Sequence, residues 1–334
     1  MLLVDAIFIN NGGGKVLLDY LIIELEQTNL RIHYLLDDRI LKFKYIIKGS
    51  NKVTYLNSSL KNRYKFYKEN RFGFDKAFVL GNIPPPIRIS AKVINYFHNR
   101  VLLDVPKDFG LIERFRYILK VAVLRSTIRN SDLWLVQSDS MRSKFLKKFG
   151  NDLIVNILPF FPTLHSQEEY LREQGTFIYV SNAQENKNHL KLIKAFCLSF
   201  DMLKKGKLFL TVSRDFPRIL QVIEDVQAKG YPIINLGFID RKELANYYLK
   251  TEYVIYPSLS ESFGLGIIEG ALMGCNVIGA DLPYTYAVCK PSYTFDPTDI
   301  LFIRDAINVG LQQELPSTGL VVRDEIDQLI TLLS

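Results

Sequence analysis

The chain has 334 residues, 48% of them hydrophobic and 23% charged, which suits two globular domains of ordinary size and excludes a disordered chain. No stretch of about 18 apolar residues occurs, so no membrane-spanning helix is expected, and the opening apolar run Leu2–Ile9 is too short for a signal-peptide core. The net charge of +7 is uneven: Lys and Arg outnumber Asp and Glu by 26 to 14 over Met1–Leu158, whereas the acids lead by 21 to 16 over Pro159–Ser334.

Leu2–Ile9 reads as a first strand, Asn10–Gly14 as a glycine loop and Lys15–Gln27 as a helix, together a nucleotide-type turn. It is neither a Walker A loop nor a dinucleotide fingerprint. Strands are expected at Leu30–Leu36, Lys52–Leu56, Ala77–Leu80 and Lys92–Phe97. Lys61–Arg71 is a basic, aromatic helix. It either rests on a membrane with Tyr64, Phe66 and Tyr67 as interfacial groups or presents a solvated face. His98 ends a strand, where open α/β sheets place their ligands. Glu113–Asn130, Leu133–Gln137, Ser138–Gly150 and Leu153–Leu158 read as helix, strand, helix and strand. Pro159–Gly175 is the expected linker.

A second series begins at Thr176–Ser181 and runs through a polar loop, Asn182–His189, into an amphipathic helix. Strands at Leu208–Val212 and Ile233–Leu236 and a helix at Arg241–Leu249 follow. Tyr253–Pro257, Ser258–Phe263, Gly264–Gly274 and Asn276–Ala280 then form strand, loop, helix and strand, a βαβ unit. Two helices, near residues 299–313 and 324–333, close the chain. Cys197, Cys275 and Cys289 lack CxxC spacing, which points to free thiols and a reducing cytoplasm.

Glu269 breaks its surroundings. It falls in the apolar stripe Leu265, Ile268, Leu272 with no basic residue within a helical turn. A buried carboxylate needs hydrogen-bond donors, and ribose hydroxyls would supply them. Glu261 stands at the helix mouth, where free backbone N–H groups favour a phosphate.

The run Pro257-Ser258-x-x-Glu261-Ser262-Phe263-Gly264-Leu265-x-x-x-Glu269-Gly270 resembles the donor-site signature of the retaining GT-B glycosyltransferases of the glycosyl transferases group 1 family (family four). Met273-Gly274-Cys275-Asn276-Val277-Ile278 continues it, with Asn276 where the family has Pro. The resemblance is strongest over Thr176–Asp299. It implies an α/β GT-B fold of two Rossmann-like domains facing each other across a cleft. Residues 1–160 would bind the acceptor and 161–334 the nucleotide sugar. By this resemblance His98, Glu261 and Lys187 are catalytic, with His98 facing the reacting sugar. Gly13 and Gly14 let the substrates approach the backbone. Lys187 binds the donor diphosphate together with the Gly264–Leu265 helix start, Glu269 holds the ribose, and Glu261 with Ser262 and Phe263 orients the sugar. Asn182 stands where the family has a second, arginine cation, and Arg214 is the nearest substitute. A charged hydrogen bond is worth about 1.5–3 kcal/mol, so the missing cation is expected to weaken donor binding about ten- to a hundredfold.

The activity implied is metal-independent transfer of a hexosyl unit, with no cofactor beyond the nucleotide-sugar substrate, a UDP-sugar in preference to a GDP-sugar. No Asp-x-Asp occurs. The acceptor is a saccharide or a polyprenyl-diphosphate-linked oligosaccharide of bacterial surface polysaccharide assembly. The basic first half suits an anionic membrane surface, which places the protein in the cytoplasm, peripheral to the inner face of the plasma membrane. Nucleic acid is not expected, because the cations are scattered among apolar runs without a binding motif. The alternatives are a non-catalytic sugar-nucleotide-binding protein of this fold and a nucleotide-sugar epimerase.

Overall fold

A computed structural model describes residues 1–104, 110–165 and 170–334. Residues 166–169 of the expected linker lie outside the described residues. The chain divides into two compact units, Met1–Pro162 with Arg323–Ser334, and Thr163–Val322.

The first unit runs β1 (Leu2–Ala6), α1 (Gly12–Gln27), β2 (Ile32–Asp37), β3 (Lys52–Leu56), α2 (Leu60–Glu69), β4 (Lys76–Val79), β5 (Lys92–Phe97), α3 (Leu111–Thr127), β6 (Leu133–Val136), α4 (Asp139–Phe149) and β7 (Val155–Ile157). The seven strands form one parallel sheet in the order β3-β2-β1-β4-β5-β6-β7. β1 and β2 are buried along their whole length, as strands covered on both faces must be. The glycine run is not a loop: Gly12–Gly14 form the first turn of α1.

α2 does not lie on a surface. Phe66 and Tyr67 are buried in a core cluster with Phe74, and only Tyr64 of the three aromatics is exposed. The physical reason is a buried carboxylate. Asp5 in β1 accepts from Arg63 Nε (2.8 Å) and Nη2 (2.7 Å) and from the Tyr67 hydroxyl (2.6 Å), and both donors stand on α2. Arg63 also donates to the carbonyls of Ile83 and Pro84, so one guanidinium clamps α2, β1 and the loop after β4. Such a network holds only when every member is paired.

The second unit runs β8 (Glu173–Tyr179), α5 (His189–Leu203), β9 (Lys207–Leu210), α6 (Pro217–Ala228), β10 (Ile233–Asn235), α7 (Arg241–Lys250), β11 (Thr251–Tyr256), α8 (Leu265–Leu272), β12 (Asn276–Ala280), α9 (Pro283–Val288), β13 (Cys289–Lys290), β14 (Tyr293–Phe295), α10 (Ile300–Gln312) and β15 (Gly319–Leu320). Its main sheet is parallel in the order β10-β9-β8-β11-β12-β14, and β13 and β15 form a separate antiparallel ribbon. α6 and α9 are not anticipated by the sequence reading. Each begins on a proline, which reads as a breaker but suits the first helical position. The three cysteines are free.

The last helix, α11 (Ile326–Leu333), belongs to the first unit, which corrects its assignment to a 161–334 domain. It buries Ile326, Leu329 and Leu333, and α1 is its packing partner. Just before it, Glu325 N donates to Pro159 O (2.9 Å), and Asp324 accepts from Phe161 N (3.0 Å) and from the Tyr20 hydroxyl.

Candidate functional site

Each parallel sheet reverses its strand order once, between β1 and β4 in the first unit and between β8 and β11 in the second. At such a switch point the loops leave in opposite directions and open a crevice beyond the carboxyl ends of the strands. The predicted residues gather at these two places.

In the second unit the loops after β8 and β11 are stitched together. Leu259 N donates to Asn186 O (2.8 Å), Asn186 Nδ2 to Ser260 O (2.9 Å), and Asn188 Nδ2 to the carbonyls of Pro257 (3.2 Å) and Pro297 (2.8 Å). Tyr179, the last residue of β8, places its hydroxyl 2.9 Å from Lys187 O and 2.7 Å from Ser258 Oγ. This stitching sets Lys187 against Glu261, with Nζ 2.7 Å from both carboxylate oxygens. The sequence reading gives these two residues separate tasks; the fold makes them an ion pair. Two of the three ammonium N–H groups point at Glu261, which leaves a third donor for a ligand.

The motif loop ends on Gly264, whose φ of +89° favours glycine. From there α8 starts with the N–H groups of Leu265 and Gly266 lacking intrahelical acceptors and with the positive end of its dipole exposed to the loop. Phe263 is buried and Ser262 partly so.

Glu269 is 3% exposed, as its place in the stripe predicts, but it already has a cation. Arg241 Nη1, from α7, donates to it at 2.6 Å. Burial pushes the Glu269 carboxyl up, and Arg241 opposes that shift. Glu269 therefore does not depend on ribose hydroxyls alone for its hydrogen-bond donors. Arg241 lies 28 residues upstream, beyond any helical spacing, so no local signal marks it. Its Nη2 is buried with no partner among the described residues, a donor still available beside the carboxylate. Asn182, after β8, and Arg214, after β9, are both exposed at the carboxyl edge of the sheet. Asn182 Oδ1 is 3.5 Å from Gln184 N.

The predicted residues of the first unit, His98, Gly13 and Gly14, carry no charge, although ion pairs Arg39–Asp37 and Lys15–Asp19 stand beside them on the loop after β2 and on α1. His98 follows β5, and its N–H donates to Asn82 Oδ1 (2.8 Å). Its Nε2 lies 2.9 Å from Leu80 O and 3.2 Å from Asn82 Nδ2, and the shorter contact, to an oxygen that only accepts, places the proton on Nε2. Nδ1 then bears the lone pair, and no described residue hydrogen-bonds to it. Burial lowers the His98 pKa to about 4, so the ring is neutral at pH 7. Gly14 touches it: a Cβ there would stand 3.0 Å from His98 Cε1. Gly13 is exposed, with nothing within 4 Å of a Cβ position. Among the described residues no three His, Cys, Asp or Glu side chains gather as metal ligands.

Two Rossmann-like units, each a parallel sheet with one switch point, have the architecture of the GT-B class. Residues 161–300 match the sequence model of the family Glycosyl transferases group 1, so the second unit is a domain of that family. The O-antigen chain mannosyltransferase B of Escherichia coli is 26% identical over 241 residues, 67% of this chain and 61% of that protein. The chain thus spans less than two thirds of that relative. The sucrose-phosphate synthase of Thermosynechococcus elongatus superposes with a TM-score of 0.73 at 15% identity, over 92% of this chain and 88% of that one. HepE of Anabaena, solved with UDP and glucose, superposes with a TM-score of 0.66 at 14% identity, over 93% and 89%. These similarities bear out the GT-B fold.

Proposed function

We propose that the protein transfers a hexosyl unit from a nucleotide sugar to a saccharide or lipid-linked oligosaccharide, with retention of configuration and without a metal. The observation that carries this is the pair Glu261 and Glu269, each held by a cation, flanking the N-terminus of α8 in a glycosyltransferase domain. The donor diphosphate lies against the N–H groups of Leu265 and Gly266 and takes the third N–H of Lys187. As the bond to the anomeric carbon breaks, negative charge grows on the diphosphate, and these fixed donors stabilise it. Glu269 accepts from the ribose hydroxyls while Arg241 Nη2 donates to one of them. Glu261, Ser262 and the backbone at Phe263 orient the transferred sugar. With a pKa of about 4, His98 is a weak base at pH 7. Its Nδ1 therefore positions a sugar hydroxyl by accepting its hydrogen bond, and Gly14 keeps that approach open.

A UDP-sugar is the preferred donor and a GDP-sugar the alternative. The bound UDP of HepE supports the first, and the mannosyltransferase relative supports a hexosyl unit and polysaccharide assembly. The acceptor is a polyprenyl-diphosphate-linked saccharide, and the protein works at the inner face of the plasma membrane. The second reading, a donor site that binds without turnover or serves epimerisation, is favoured only by the uncharged Asn182. Isothermal titration with UDP, GDP and ADP, repeated on Glu269→Ala, tests the proposal. Selective binding of one nucleotide, lost in the variant, is expected. No binding of any nucleotide to the wild-type protein overturns it. Transfer assayed with the sugar of the preferred nucleotide separates the two readings.

A further inference from the structure

α3 wears its apolar residues outward. Leu111, Ile112, Phe115, Ile118 and Leu119 are between 50% and 84% exposed, and Ala122 is exposed as well. Their spacing draws one continuous stripe along the helix, about three turns long. The opposite side, with Tyr117, Val121 and Leu124, packs on the cluster of Phe97, Trp134, Met141 and Phe145, so the stripe cannot be reached by that core. Helical geometry sets Arg114 and Arg125 along one border of the stripe and Arg116 and Lys120 along the other. None of these four makes an ion pair among the described residues, and the one acid of the helix, Glu113, falls on the side toward the core.

From this we propose that the outer face of α3 docks on an anionic lipid surface, with the stripe in the acyl–headgroup boundary and the four cations among the phosphates. A surface helix of this make-up, apolar on one face with cations at its borders, is the interfacial kind. A stripe of this size on a soluble protein marks an interaction face. The cations choose the partner. Two copies of the chain meeting stripe to stripe would bring eight like charges together, whereas anionic headgroups satisfy both the apolar and the charged parts. Position adds a reason. In a parallel βαβ unit the crossover helix begins at the carboxyl end of its strand, so the first turn of α3 lies at the same end of the sheet as His98 and Gly14. Docking there holds that end of the first unit where a lipid-linked acceptor is presented, and to that extent the inference rests on the proposed acceptor.

The test is co-sedimentation of the full chain with phosphatidylcholine vesicles, plain or with a third of the lipid replaced by phosphatidylglycerol, over a salt series. Binding to the anionic vesicles that weakens with salt is expected. Ile112→Glu combined with Phe115→Glu lowers it about tenfold or more. Arg114→Gln combined with Arg116→Gln lowers it about 25-fold, about fivefold per cation, and flattens the salt dependence. Phe72→Glu, at a still more exposed aromatic outside α3, leaves it unchanged. UDP and GDP titration on the same preparations stays at the wild-type value, which separates this proposal from the donor-site reading and shows that the variants fold. Wild-type protein that stays in the supernatant at low salt overturns the docking surface. So do α3 variants that bind vesicles like wild type, or a lipid-free dimer, seen by sedimentation velocity, that Ile112→Glu with Phe115→Glu dissolves without touching vesicle binding.

Discussion

The two sheets share a plan, yet the residues predicted at their switch points differ in charge. In the first unit the predicted residues are a neutral histidine with its asparagine and a glycine helix start, and the one carboxylate at the end of β2, Asp37, is held by Arg39. In the second it offers two carboxylates locked to two cations beside a helix dipole. The contrast matches two kinds of ligand. A neutral edge suits sugar hydroxyls, which need fixed acceptors and donors but no charge. A charged edge suits a nucleotide, whose phosphates and ribose ask for cations and anions at once. Pairing each carboxylate with a cation keeps the second edge nearly neutral until a ligand competes for the donors.

Acid is expected to weaken both units most. Burial lowers His98 and His33 to about 4 in the first unit and His189 to about 3 in the second, against an ordinary value of 6.5. Below pH 6.5 the unfolded chain takes up protons that the folded chain refuses, so stability falls as pH drops from 6.5 toward 4. Urea midpoints at pH 7 and pH 5 measure it, and a midpoint that rises on acidification contradicts these burials. His98→Gln removes one share of the slope.

Next comes the second edge alone. Arg241→Ala strands a buried carboxylate and is expected to lower stability by about 3 kcal/mol and to cost nucleotide affinity, both read by urea unfolding and titration. Equal stability in variant and wild type would mean that solvent reaches Glu269. Lys187→Ala removes the donor that holds Glu261 and that is proposed to meet the leaving diphosphate, so turnover should drop about a hundredfold, more than KM changes. A rise in KM alone would reduce Lys187 to a binding role.

The first edge should respond more mildly. Gly14→Ala pushes its Cβ toward the His98 ring, and about a tenfold loss of kcat with nucleotide affinity unchanged is expected. If nucleotide affinity falls instead, the division of labour between the edges is wrong. The smallest effect is a gain: Asn182→Arg adds a cation at an exposed position of the charged edge and should tighten nucleotide binding up to about tenfold.

Much of this was legible because it is local. Strand periodicity, the polar loop before α5 and the run from Pro257 to Gly270 announce two α/β series and a strand–loop–helix turn, since turn chemistry and amphipathic spacing act within a few residues. What stayed hidden depends on packing across the chain. Lys187 meets Glu261 across 74 residues and Arg241 meets Glu269 across 28, and neither spacing is a signal in itself. α6 and α9 hid behind their initial prolines. α11 could be read as a helix but not as part of the first unit, because its partner surface is on α1. The sharpest case is the pair α2 and α3, both basic and aromatic, which composition cannot tell apart. Sequence alone determined the periodicities, the motif and the family resemblance it carries. Tertiary structure alone decided which face of each helix met the sheet, because that depends on a carboxylate in β1 capturing Arg63 and Tyr67 of α2, while α3 turned Tyr117, Val121, Leu124 and Thr127 inward and kept its apolar stripe outside.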